Sequence, residues 1–191
     1  MIAEKKRLRS LLRAQRRSLS PQAVSEKSRL ITERLLAFPL FQQASTLVLY
    51  NADENEVVTE VIWREALWRG KAVYYPRLNA DRTNLEFVRR FPGAKLMPGA
   101  FGILIPPGND LLQGLQETDV VLTPGVGYDR QGHRLGRGKG YYDRALRGVL
   151  AGARRVALAY EFQVVPHIPA GPDDEHVQWI VTESRLIRCL T

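Results

Sequence analysis

Near the middle of the second half of the chain, Gly136, Gly138 and Gly140 alternate with Arg137 and Lys139, and Arg134 lies just upstream. Glycines let backbone N–H groups close around an anion and reach positive φ. Arginine would meet phosphate oxygens through forked hydrogen bonds, lysine as a point charge. A helix beginning near Tyr141 would turn its positive N-terminal end toward the same spot. Loop, charge and dipole converge on a polyphosphate. The spacing is not that of a Walker A loop, because Gly140 follows Lys139 where Ser or Thr is required. Nor do Gly136 and Gly138 continue as a dinucleotide G-x-G-x-x-G. On residue types alone, a solvated turn and a basic RNA-binding loop remain open.

The elements around this loop predict an α/β fold. A helical period runs from Glu4 to Leu19, with Leu8, Leu11, Leu12 and Leu19 on one side and Lys5, Arg9, Arg13 and Arg16 on the adjacent face. Ser20 and Pro21 read as an N-cap and first helical position, and the second helix is expected to end before Pro39. Short apolar runs at 46–50, 72–75, 119–122, 155–159 and 179–181 read as strands, and 85–89 as a half-exposed one. Helices are predicted over 59–69 and 141–150. Alternating strands and helices argue for a mostly parallel sheet covered on both faces, which binds ligands outside the carboxyl ends of its strands.

The chain has 191 residues, 45% of them apolar and 25% charged. That suits a single domain over residues 1–191, large enough to bury a core without disulfides. The one cysteine, Cys189, cannot pair internally. Lys and Arg outnumber Asp and Glu by 28 to 20, a net charge of +8, which fits nucleic acid, anionic lipid or a small polyanion. No apolar run is long enough to span a membrane. Residues 1–10 lack an apolar secretory core, so a cytoplasmic location is expected. Neither a serine-hydrolase elbow nor a zinc-binding motif occurs.

Pro124-Gly125-Val126-Gly127-Tyr128-Asp129, then Gly132, then Arg134 through Asp143, closely resembles the signature of the 5-formyltetrahydrofolate cyclo-ligase family. Supporting segments include Lys5 and Arg9, Glu56 to Thr59, Tyr75-Pro76-Arg77, Gly102-Ile103, Ala159 to Gln163 and Ile180 to Glu183. The resemblance implies an ATP-dependent, Mg²⁺-requiring ring closure of 5-formyltetrahydrofolate to 5,10-methenyltetrahydrofolate, with release of ADP and phosphate. In it the formyl oxygen is phosphorylated before the neighbouring amine closes the ring. The implied nucleotide contacts are Lys5, Arg9, Arg134, Leu135, Gly136, Arg137, Gly138, Lys139, Gly140, Tyr141 and Tyr142, with Arg137 and Lys139 catalytic. The implied folate contacts are Asn51, Glu56, Arg137, Gly138, Lys139, Gly140 and Tyr141.

Asp143 and Asp174 are the implied Mg²⁺ ligands, with Asp173 an alternative to Asp174. Tyr128 stands where the family often has Phe, a change tolerated if its hydroxyl finds a partner. Ile105 and Gln178 replace a frequent Glu and a frequent Asp. The expected partners are ATP and the folate, with neither nucleic acid nor membrane, and the expected state is a monomer. A basic RNA-associated domain, and a relative acting on another formyl or carboxyl substrate, are the competing readings.

Overall fold

Along each strand of the main sheet, successive residues enter different apolar layers, as the two-residue period of extended backbone requires. The computed structural model describes residues 1–190, apart from the side chain of Phe101. The chain begins with α1 (Ile2–Arg17), α2 (Pro21–Leu36) and α3 (Pro39–Gln43), then β1 (Thr46–Val48), α4 (Glu60–Trp68), β2 (Ala72–Leu78) and β3 (Leu85–Arg89). A small hairpin of β4 (Met97–Pro98) and β5 (Leu104–Ile105) follows. Next come β6 (Val120–Thr123), a second small hairpin of β7 (Gly127–Tyr128) and β8 (Arg134–Leu135), and α5 (Tyr141–Arg147). The remainder is β9 (Arg154–Leu158), β10 (Trp179–Val181) and β11 (Leu186–Arg188).

The main sheet has the order β11-β10-β9-β6-β1-β2-β3. Its five inner strands are parallel, and β3 and β11 run antiparallel at the edges. On one face Leu47, Leu49, Leu122 and Leu158 meet Ile31 and Leu35 of α2 and Ile62 of α4. On the other, Val48 and Val121 meet Ala145 and Leu146 of α5, and Ala157 and Ile180 meet Ile187. The fold is thus α/β with helices on both faces. The chain lays β2 beside β1, then returns to place β6 on the opposite side of β1. The crevice past the carboxyl ends of β1 and β6 is the topological switch point, where open sheets of this kind bind ligands.

Several elements differ from the sequence expectation. Pro39 opens α3 as its first residue, a position in which its missing N–H is harmless. β2 continues through Pro76 to Leu78, because its pairing with β1 stops at Tyr74 and only β3 borders it beyond. The edge strand β11 is too short to show a period. Helix α5 stops at Arg147 rather than 150, where Gly148 closes the helix with its N–H on Arg144 and Ala145. Among the described residues, no helix is long and apolar enough to cross a membrane.

Candidate active site

The loop that leaves β1 is shaped by α1. Glu54 and Asn55 both have left-handed backbone, with φ of 49° and 59°, a conformation rare for residues with a side chain and favoured among them by Asn. The Asn55 amide donates to the carbonyls of Arg16 (3.2 Å) and Leu19 (3.1 Å), so it closes the end of α1. Arg13 donates to both carboxylate oxygens of Glu54, at 3.0 and 2.5 Å, and Arg17 pairs with the same carboxylate. Arg16 is 1% exposed and donates to the backbone of Glu54 (2.9 Å) and Gly125 (3.2 Å). Arg16, read from the sequence as one of four basic residues on one face of the first helix, is turned to the strand ends, where Glu54, Glu56 and the Gly125 carbonyl surround it. Leu11, expected inward, is exposed instead, while Leu12 is buried.

Glu56, expected only as a folate contact, is buried. Its Oε2 accepts from the Asp53 N–H at 3.1 Å, and its Oε1 lies 3.2 Å from Arg137 and 3.4 Å from Arg16. Arg137 also donates to Asp53 at 2.8 Å. Burial pushes the Glu56 carboxyl above its ordinary value, with Arg16 and then Arg137 working against the rise. For Arg137, burial works against the charge, but Glu56 and Asp53 outweigh it and raise its pKa. Asn51, at the same mouth, donates from its side-chain amide to the Leu104 carbonyl of the β4–β5 hairpin.

The glycine-basic segment proves to be the end of a hairpin followed by a short open loop. Asp129 is fully buried in the turn between β7 and β8, and its carboxylate accepts from the N–H groups of Gln131, His133 and Ile168 and from the His133 ring. Tyr128, also buried, donates to the Thr123 carbonyl at 2.9 Å, the partner its hydroxyl requires. Gly138 and Gly140 have φ of +94° and +67°, a region that a Cβ would strain. Arg9 donates to the Gly136 carbonyl at 2.8 Å, which brings α1 onto the loop. The Lys139 side chain is exposed, and Arg144 holds the Lys139 carbonyl at 3.3 Å.

Other expected contacts are less exposed. Leu135 is a core residue packed with Leu12, Val126 and Ile168, so only its backbone faces the hairpin. Tyr142 points its ring edge-on at Phe87 and its hydroxyl is buried, whereas the Tyr141 hydroxyl donates to the Arg82 carbonyl at 3.0 Å. The adjacent tyrosines therefore face different surroundings.

Two carboxylates border the loop. Asp143 Oδ1 accepts from Arg134 at 2.6 Å and from the Glu175 N–H at 3.2 Å. Glu175 is the neighbour of Asp174, whose Oδ2 pairs with Lys5 and accepts from the Gly171 N–H at 2.7 Å. Burial acts to raise the Asp174 carboxyl, but Lys5 and the Gly171 N–H outweigh it and hold it below the usual carboxylate range. Asp173 turns outward to Arg147 at 2.9 Å and is 87% exposed. Among the described residues, no three His, Cys, Asp or Glu side chains form a metal cage. The three histidines lie together, with the His133 ring against those of His167 and His176. Cys189 is buried, which pushes its thiol up to about 11 and leaves it unsuited to nucleophilic work.

Asp53, Glu54, Asn55 and Arg144 escaped the sequence reading, which gave Arg16 a helix face but no role. Only the preference of Asn for left-handed backbone offered a signal, at Asn55. The Glu54 carboxyl is held down to about 2, chiefly by the hydrogen bond from Arg13, with burial opposing and Arg17 assisting. A carboxyl depressed below its ordinary 4.5 contributes stability that is present above that pH and lost as pH falls toward about 2. Melting temperature is therefore expected to fall over that window, and Glu54→Gln to flatten the fall. An unchanged slope in the variant would show that the cluster does not stabilise the fold.

Comparison with known proteins accords with this arrangement. The model of the 5-formyltetrahydrofolate cyclo-ligase family matches residues 1–183. The mouse 5-formyltetrahydrofolate cyclo-ligase is 30% identical over 190 residues, covering 94% of each chain. The Escherichia coli K12 protein of the same name is 32% identical over 181 residues, covering 92% of this chain and 98% of its own. The solution structure of Aquifex aeolicus 5,10-methenyltetrahydrofolate synthetase superposes with a TM-score of 0.84 at 31% identity, over 98% of this chain and 93% of that one. A synthetase of the same name from Mycoplasma pneumoniae gives 0.71 at 26% identity, over 94% and 98%. With its signature hairpin, switch-point crevice and nearly full-length match, the chain belongs to the 5-formyltetrahydrofolate cyclo-ligase family.

Proposed function

We propose that this protein uses ATP to convert 5-formyltetrahydrofolate to 5,10-methenyltetrahydrofolate, releasing ADP and phosphate. The observation that carries this reading is the contact of Arg137, from the glycine-basic loop, with Asp53 and Glu56 of the loop after β1. A phosphate-binding segment and a buried carboxylate suited to a pterin's N–H donors meet across one crevice. The reaction needs that adjacency. A formamide oxygen leaves poorly, so the γ-phosphoryl group moves from ATP to that oxygen and ADP is released. The neighbouring amine nitrogen then attacks the formyl carbon, the carbon–oxygen bond breaks, and inorganic phosphate departs. Such a transfer asks the protein for positioning and for charge stabilisation.

Arg137 and Lys139 neutralise the transferring group, with the amides of Gly136, Gly138 and Gly140 along the phosphates. Lys5 and Arg9 reach the nucleotide side from α1, and Glu56 accepts from the pterin, beside Asn51. Asp143 and Asp174 suit Mg²⁺: they are hard oxygen donors and partly exposed, and Asp143 accepts from the N–H of Glu175, the residue that follows Asp174. Bound there, Mg²⁺ would neutralise phosphate charge. Lys5 and Arg134 hold these carboxylates in position. The reading has small molecules as partners, a cytoplasmic location and a monomer as the working unit.

Mixing folded protein with 5-formyltetrahydrofolate and Mg·ATP should generate the methenyl chromophore. No product overturns the proposal, and product formed without ATP overturns the role of the nucleotide.

A further inference from the structure

The partners of Glu56 differ in how firmly they are held. The Arg137 side chain is 37% exposed, and its other contact, Asp53, is 42% exposed. Arg16 is buried and is fastened to the carbonyls of Glu54 and Gly125, with its NH2 group lacking a hydrogen bond. A ligand entering the crevice can displace Arg137 from Glu56. It cannot displace Arg16, which lies behind the carboxylate among Tyr50, Pro124 and Gln163.

The surroundings make the remaining cation matter. Asp53 and Glu54 flank Glu56 on its own loop, and the buried tyrosines Tyr50, Tyr128, Tyr142 and Tyr160 lie near enough to feel its charge, the first two donating their hydroxyls to the Val57 and Thr123 carbonyls and not to it. None of these favours a second negative charge. The cations that do are Arg16 from α1 and Arg137 from the loop after β8. If Arg137 moves to the phosphates, a buried carboxylate is left with one counter-charge.

We propose that Arg16 is a positioning residue of the folate subsite, the fixed cation that keeps Glu56 ionised and aimed when substrate N–H groups take the place of Arg137. This rests on the folate reading given above. It also gives one helix two duties: α1 presents Lys5 and Arg9 to the nucleotide side and Arg16 to the pterin side.

The test compares wild type, Arg16→Met and Arg16→Lys, with steady-state rates against both substrates across about pH 5.5 to 9. For Arg16→Met, the KM for 5-formyltetrahydrofolate should rise about ten- to a hundred-fold, the range expected for a charged hydrogen bond, with the KM for ATP changing far less. Ionised Glu56 is the binding form, and losing its cation raises its pKa. The acid limb of kcat/KM should therefore move to higher pH, and Arg16→Lys should bring it back toward wild type. A limb that stays in place, or equal losses for both substrates, overturns the proposal.

If Arg16→Met fails to fold, the same change in a Glu56→Gln background carries the test, since a neutral amide needs no counter-charge. No further rise in folate KM is expected there beyond that of Glu56→Gln. An additive rise, or failure to fold in that background as well, assigns Arg16 to the scaffold and overturns the proposal. Titration of each protein with 5-formyltetrahydrofolate in the absence of ATP separates the two readings. A wild type that neither binds it nor makes product removes the functional reading and this one together. A wild type that does both, with variants behaving like it, removes only this one.

Discussion

Lys139→Ala is expected to lower kcat by about a hundred-fold or more, on the scale seen when one transition-state charge donor is removed, without moving the melting temperature. The Lys139 side chain is exposed and has no ion-pair partner among the described residues, so its removal disturbs no packing. Its charge would be used only when phosphate oxygens arrive between Gly138 and Gly140. Arg137→Ala should cost as much turnover and differ in one respect. Arg137 already pairs with Asp53 and Glu56, so its loss also changes the folate side and should raise the KM for 5-formyltetrahydrofolate. Initial rates of methenyl formation, with each substrate varied in turn, separate the two effects. Wild-type rates in Lys139→Ala would remove this residue from the chemistry.

The second large effect concerns stability. Asp129→Ala should destabilise the fold by about 3–5 kcal/mol, since it removes a buried acceptor that serves one buried and three partly buried donors at once. Its carboxylate accepts from Gln131 N (3.0 Å), His133 N (3.0 Å), Ile168 N (2.8 Å) and His133 Nδ1 (2.8 Å). Alanine would leave three backbone N–H groups unpaired. Ile168 belongs to the small core that holds Leu12 of α1 and Leu135 of β8. Asp129→Asn keeps one acceptor oxygen and should recover part of the loss. Urea unfolding at neutral pH reads both variants. A midpoint within experimental error of wild type for the alanine variant would mean that the turn is held by other contacts.

The parts of this molecule that were legible in the sequence are those governed by local pattern. The strands near 46, 120, 155 and 179 are runs of apolar residues, and Ser20-Pro21 is a local start signal. Gly136 to Gly140 stands out as a candidate anion loop by its residue types, which leave a solvated turn and an RNA-binding loop as alternatives. What escaped depends on partners far along the chain. Arg16 looks like any helix-face arginine until Gly125, 109 residues later, offers a buried carbonyl. Pro76 reads as a strand end unless one knows that β1 has already stopped beside it. Glu56, just after Asp53 and Glu54, reads as surface from its neighbours until the sheet mouth closes over it. The basic excess was ambiguous for the same reason. Arg13, Arg16 and Arg17 converge on Glu54, so part of the basic excess of the first helix is already paired within the fold.

The docking of α1 has a consequence for the order in which the molecule can be assembled. Its contacts at Gly125, Gly136 and Asp174 join residues 109, 127 and 169 positions apart. Closing such long loops is slow and follows the formation of nearer contacts. During synthesis the first helix leaves the ribosome well before its docking surface exists. It must wait, basic and amphipathic, until the turn at Asp174 has been made. Helix α1 therefore docks only after the segments up to Asp174 have been made, and the crevice at the strand ends is closed by that docking.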